Sequence, residues 1–196
     1  MSHRTQDLPP LRGYKHTLRE LRYHEASRQT LAFVLIAWFA FVSEPVWLAF
    51  AIGSPLILAG TLFRLYASGF ISKNQQLATH GPYALVRHPL YTGNILIISG
   101  FSIASGVPWT LAVAAFFFWF YYPTAIEYED RKLHSIFGTQ WERWSTEVPA
   151  LVPTLTNLDA VATGDWSFVK SSKQNGEPFI VLFTLACFGY VAWLLP

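Results

Sequence analysis

All fourteen lysines and arginines of the chain fall in three segments, and the apolar runs between those segments contain none. Residues 1–29 hold Arg4, Arg12, Lys15, Arg19, Arg22 and Arg28; residues 64–89 hold Arg64, Lys73 and Arg87; residues 127–177 hold Arg131, Lys132, Arg143, Lys170 and Lys173. From Leu31 to Phe63 the chain is almost wholly apolar, enough for two short passes through a bilayer. Leu90 to Ser105, Trp109 to Ile126 and Phe179 to Leu195 supply three more. With five passes the basic segments all lie on one side, and the opposite loops carry no cation. The positive-inside rule puts the N-terminus and the three basic segments in the cytoplasm and the C-terminus across the membrane.

The expected fold is therefore all-α and integral to a membrane, with about five transmembrane helices. A polar arm, 1–29, precedes a single membrane domain, 30–196. Charged residues make up only 13% of the chain and hydrophobic ones 52%, against about 25% charged in soluble proteins. Lipid as solvent accounts for that deficit. The first 29 residues are polar and include Pro9 and Pro10, so no cleavable signal peptide is expected and the first span acts as the insertion signal. Within the arm, His16 to Gln29 reads either as a helix lying on the membrane surface or as a solvated segment. The turn between the first two spans falls at Ser43-Glu44-Pro45 or at Gly53-Ser54-Pro55. The first is favoured, because it keeps the Glu44 carboxylate out of the bilayer. Gly106-Val107-Pro108 reads as the tight turn of a helical hairpin.

Two polar stretches share the cytoplasmic face, where one soluble ligand can reach both. The first is His80-Gly81-Pro82-Tyr83-Ala84-Leu85-Val86-Arg87-His88-Pro89, followed by Tyr91 and Gly93. Pro82 and Pro89 lack a donor and push their preceding residues out of helical geometry. The stretch is thus an ordered, non-helical loop, and such backbone near a membrane lies against protein or a wet cavity. Arg87, His88 and Tyr91 then offer a fixed cation, a titratable ring and a phenol, while Gly81 and Gly93 permit close backbone approach. Basic and aromatic residues also serve as plain interfacial anchors.

The second stretch runs from Glu127 to Gly138. As a helical continuation of the fourth span it sets Asp130 one turn from His134, and Glu127 one turn from Arg131. Glu127, Glu129 and Asp130 can accept hydrogen bonds from an amine or ribose and balance a cationic ligand. A solvated helix with an internal Glu127–Arg131 pair is the plainer alternative. Gly138 reads as a helix terminator, and Trp141 and Trp144 beyond it either close over a cofactor or rest at the interface. The six histidines include no pair with metal-ligand spacing. No metal and no nucleic-acid partner is expected, and lone Cys187 excludes an internal disulfide.

Together these stretches resemble the superfamily of isoprenylcysteine carboxyl and phospholipid methyltransferases. Its first pattern, Gly-x-Tyr, three residues, then Arg-His-Pro-x-Tyr-x-Gly, is met by Gly81, Tyr83, Arg87, His88, Pro89, Tyr91 and Gly93. The second is met by Glu129, Asp130, Leu133, Phe137 and Gly138, followed by Trp141, Trp144, Val148, Pro149 and Pro153. The likeness covers roughly residues 55–155. It implies S-adenosylmethionine held in a cytoplasmic pocket between the proline-broken loop and the acidic helix, with a lipophilic acceptor arriving from the bilayer. It implies cofactor contacts from His80, Gly81, Tyr83, Val86, His88, Pro89, Tyr91, Gly93, Glu129 and Asp130, with Arg87 and Glu129 catalytic and Arg87 orienting the acceptor.

Asp130 departs from the family's usual glutamate, and Tyr128 stands where some members have a further acid. Prenylcysteine enzymes carry an arginine about one turn before the acidic pair, where this chain has Thr124, Ala125 and Ile126. A buried carboxylate acceptor needs a cationic partner, so the departure favours an amine, phosphate or hydroxyl head group unless Arg64 or Arg131 substitutes. Two other classes compete: an NADPH-dependent reductase of the sterol-reductase kind, which the acidic run at 127–130 disfavours because a dinucleotide phosphate wants Arg and Lys, and a non-catalytic membrane scaffold.

Overall fold

A computed structural model describes residues 4–72 and 75–196; Lys73 of the second basic segment lies outside the described residues. The chain is helical, with α1 (Tyr14–Tyr23), α2 (Glu25–Phe41), α3 (Trp47–Ser68), α4 (Pro89–Ala104), α5 (Trp109–Phe137), α6 (Thr139–Glu147) and α7 (Glu177–Trp193), and no strand occurs among the described residues. Helices α3 and α5 are long and apolar enough to cross a membrane, and α4 and α7 are shorter apolar helices. Leu48, Leu62, Phe116, Trp119, Leu182 and Trp193 all face outward. So much exposed apolar surface suits a lipid environment.

Both expected interhelical turns form, the earlier one at the favoured of its two candidate sites. Residues 42–46 separate α2 from α3, leaving Gly53-Ser54-Pro55 inside α3. Gly106 at φ 71° separates α4 from α5. The two turns touch: the Glu44 amide donates to the Ser105 carbonyl at 2.7 Å. The 16–29 stretch, read in sequence either as a surface helix or as a solvated segment, is helical and is divided at His24. Its extended backbone ends α1, and its ring accepts a hydrogen bond from the Ser27 amide to cap α2. The arm thus contributes a separate helix and the first turns of the first apolar helix.

Helices α3 and α4 approach closely because glycines meet glycines. A Cβ on Gly60 would stand 2.6 Å from the Gly93 carbonyl oxygen, and one on Gly100 would stand 2.8 Å from that of Gly53. Such pairing of small residues lets backbones pack where no hydrophobic drive exists between helices. The apolar core lies where α2, α4, α5 and α7 converge, around Phe39, Ile97, Phe101, Phe117 and Val191. A smaller cluster of Ala67, Phe70, Leu77, Tyr83, Trp144 and Val148 packs the loop after α3 against α6.

Candidate active site

The 80–89 stretch is an ordered loop, as its prolines require. Gly81 at φ 62° opens a single 3₁₀ turn over Gly81–Ala84, and a side chain there would run into the Phe70 ring. Beyond it the loop is clasped by the segment after α6. The Arg87 amide donates to Pro149 O at 2.8 Å, the His88 amide to Ala150 O at 3.1 Å, and the Thr154 amide to Leu85 O at 2.9 Å. These bonds satisfy backbone groups that the prolines leave without helical partners. Thr92 adds a side-chain bond to Leu151 O at 2.8 Å.

Helix α5 continues past its apolar part without a break, through Pro123, to Gly138 at φ 49°. Its charged end carries the second stretch to the loop. Asp130 bridges two loop residues: Arg87 Nη2 donates to Oδ2 at 3.0 Å, and His88 Nε2 stands 3.0 Å from Oδ1. Glu129 receives the Tyr91 hydroxyl at 2.5 Å, and its other oxygen lies 3.5 Å from His88 Nδ1. His88 therefore stands between two carboxylates. Arg87 also donates through Nη1 to Ser145 O and Val148 O, leaving Nε without a partner.

Burial works against the charged form of the His88 ring, but its hydrogen bonds to Asp130 and Glu129 and their charges outweigh it, so the ring titrates above the ordinary 6.5. The folded protein thus favours the protonated ring. Its stabilisation is complete below the unfolded value near 6.5 and is lost as pH rises through the raised native value. The melting-temperature difference between wild type and His88→Gln, measured in detergent, is expected to be largest at pH 6 and to shrink on the alkaline side. A difference that grows with pH would contradict this assignment.

A cavity of about 520 Å³ opens beside His88 and Glu129. Tyr83, Arg87, His88, Pro89, Tyr91 and Glu129 line it, and Glu129 keeps 37% of its side chain exposed. Four further residues singled out in sequence, Gly81, Val86, Gly93 and Asp130, are not among those lining the cavity. Val86 is fully buried in the loop, Gly81 abuts Phe70, Gly93 faces Gly60 and Arg64 of α3, and Asp130 holds Arg87 and His88. His80 is on the surface, with Nδ1 2.9 Å from the Thr163 hydroxyl. Of the tryptophan pair, Trp144 lines the cavity and donates to Tyr83 O at 3.2 Å, whereas Trp141 lies under the Arg87 guanidinium. Glu127 does pair with Arg131, at 2.9 Å, but Asp130 turns away from His134, which meets Glu142 instead. No group of three or more His, Cys, Asp and Glu suited to a metal occurs among the described residues.

Sequence reading missed two contributors. Glu177, at the head of α7, is fully buried and takes Arg64 in a two-point ion pair at 2.8 and 3.0 Å; Arg64 also donates to Asn94 and to Leu90 O. An acid at the first turn of an apolar run, beside Pro178, is the only sequence sign of that pairing. The other is Arg28, which lines the cavity from α2 and which the sequence assigns only to a basic arm. It is the last cation before the first apolar run.

The model of the phospholipid methyltransferase family matches residues 39–140. The chain is 36% identical over 132 residues to the cobalt-zinc-cadmium resistance protein CzcN of Cupriavidus metallidurans, covering 62% of this chain and 60% of that one. It is 31% identical over 143 residues to the nickel-cobalt-cadmium resistance protein NccN of Alcaligenes xylosoxydans xylosoxydans, covering 69% and 67%. Protein-S-isoprenylcysteine O-methyltransferase B of Arabidopsis thaliana is 29% identical over 98 residues, half of each chain. The first two names state a resistance and not a reaction. No solved structure matches the chain significantly.

Proposed function

Because the chain belongs to the phospholipid methyltransferase family, we propose that it is an integral membrane enzyme transferring a methyl group from S-adenosylmethionine to a lipophilic acceptor at the cytoplasmic face. Helices α2, α3, α4, α5 and α7 are its five spans, set as one membrane domain, 30–196, behind the arm. The observation that carries this reading is the cavity, lined both by charged side chains, among them Arg28, Arg87 and Glu129, and by apolar ones such as Ala32, Phe33 and Phe117. That mixed lining suits a polar, cationic methyl donor meeting a greasy acceptor. The acceptor is a prenylcysteine-like carboxylate or a lipid head group, the two classes that the relatives' names bring.

The donor supplies an electrophilic methyl on a positively charged sulfur, and the residues present fit it. Glu129 offers a partly open carboxylate to a cationic or hydrogen-donating ligand, with Tyr83, His88, Pro89 and Tyr91 completing the wall. Asp130, Gly81, Val86 and Gly93 act one layer back, holding the loop and α4 in place, and His80 ties the loop's start to Thr163. Arg87 fixes Asp130 to the turn after α6 and presents only its Nε–H to further partners. Reactions of this class are accelerated chiefly by positioning two bound partners and by fixed charges in a site shielded from water.

Calorimetric titration of the detergent-purified protein with S-adenosylhomocysteine, and separately with NADPH, tests this reading. Saturable binding of the first and none of the second is expected. Binding of NADPH alone would replace the methyltransferase by a reductase, and binding of neither by folded protein would leave a scaffold.

A further inference from the structure

The arginine expected one turn before the acidic pair is missing from α5, and neither sequence candidate to replace it is free. Arg64 is committed to Glu177, Asn94 and Leu90 O. Arg131 is committed to Glu127, Asp7 and the Arg4 carbonyl. Arg87 has both terminal nitrogens engaged. Arg28 differs from all three. It is only 6% exposed, its Nη1 has no hydrogen-bond partner, and its guanidinium lies 5.0 Å over the ring of Tyr91, the residue that donates to Glu129. A buried guanidinium with an unmet donor is costly, and this one lines the cavity.

Its place on α2 indicates what would meet it. Ala32 and Ile36 follow at spacings of four and eight residues, on the same helix face, and both line the cavity with Phe33, Ile97, Phe117 and Ile180. Gln76, His88, Glu129 and Lys132 line the same cavity. Arg28 thus has Tyr91, with its partner Glu129, beside its guanidinium and apolar cavity residues further along its own helix face. A ligand with an anionic oxygen group against Arg28 would run its hydrocarbon along Ala32 and Ile36.

We propose that Arg28 is the specificity-determining residue of the acceptor site, receiving an anionic oxygen group, carboxylate or phosphate ester, of an amphiphilic acceptor. This rests on the methyltransferase reading for the word acceptor, and on the geometry alone for the anion. A guanidinium suits such groups through two parallel hydrogen bonds, which lysine cannot reproduce. Recognition thus comes from the first turn of α2, outside the 39–140 region that carries the family match.

The test uses the whole protein in phosphatidylcholine nanodiscs, as wild type, Arg28→Lys and Arg28→Gln. Each is titrated with farnesyl phosphate, N-acetyl-S-farnesylcysteine and neutral farnesol, with tryptophan fluorescence as readout, and with S-adenosylhomocysteine by calorimetry. Wild type is expected to bind one or both anions about tenfold or more tighter than farnesol, the scale of a charge-assisted hydrogen bond. Arg28→Gln is expected to lose that preference and Arg28→Lys to keep part of it, both with S-adenosylhomocysteine affinity within about twofold of wild type. Which anion shows the preference separates a carboxylate from a phosphate acceptor. The proposal is overturned if wild type shows no anion preference, or if Arg28→Gln retains it. It is equally overturned if the variant loses only S-adenosylhomocysteine, which would assign Arg28 to the donor's carboxylate. Wild type that binds no S-adenosylhomocysteine defeats the methyltransferase reading, while the anion preference still decides the role of Arg28.

Discussion

Glu129→Gln is expected to lower kcat/KM for methyl transfer about a hundredfold while leaving the protein folded. The substitution keeps the shape of the side chain and removes its charge. It weakens the bond from the Tyr91 hydroxyl at 2.5 Å and deprives His88 of one of its two carboxylates. A hydrogen bond from a ligand to a charged group contributes about 1.5–3 kcal/mol, so losing the Glu129 charge toward a cationic or hydrogen-donating ligand corresponds to up to about two orders of magnitude. Part of the loss should appear as weaker S-adenosylhomocysteine binding, because Glu129 faces the cavity with its side chain partly open. Steady-state kinetics and calorimetry on the same preparation separate the two. A kcat/KM within threefold of wild type would remove Glu129 from the machinery.

The second large effect concerns stability. Arg64→Ala leaves Glu177, only 1% exposed, as an uncompensated charge between α3 and α7. Breaking one side of a buried ion pair costs about 3–5 kcal/mol, a drop of about 10 °C or more in melting temperature for a chain of this size. Arg64→Met combined with Glu177→Met removes both charges and is expected to recover most of the loss, as replacing whole buried pairs by apolar residues commonly does. The measurement is thermal unfolding in detergent, followed by tryptophan fluorescence. A single variant that melts within about two degrees of wild type would show the pair to be dispensable.

The parts of the molecule legible in sequence are those governed by local chemistry. Pro82 and Pro89, seven residues apart, break the regular helix between α3 and α4, Gly106-Val107-Pro108 dictates a turn, and Glu44 beside Pro45 marks the earlier one. The Glu127–Arg131 pair follows from helical spacing alone. What escaped detection was settled across distance. Asp130 has His134 one turn away yet pairs with Arg87 and His88, 43 and 42 residues back, because two loop cations beside a fixed helix offer more than one exposed ring. Arg64 finds Glu177 across 113 residues, a separation that leaves no periodic trace. Arg28 reads as one more cation of a basic arm until α2 is seen to carry it under the loop. Even Gly93, legible as a motif residue, is placed by its neighbour: the Gly60 carbonyl and the Arg64 stem occupy the space that a side chain would need.

The clasp between residues 85–88 and 149–154 also bears on how the protein comes into being. Its two sides are separated by α4, the Gly106 turn, α5 and α6. While a nascent chain is still short of Pro149, the amides of Arg87 and His88 lack both of their eventual partners and Thr92 lacks the carbonyl it will bond. The helices between can insert in the meantime, since each satisfies its own backbone. The clasp thus closes only after every helix between its two sides has been made, and a chain ending short of Pro149 would present Arg87 and His88 to the cavity without these bonds.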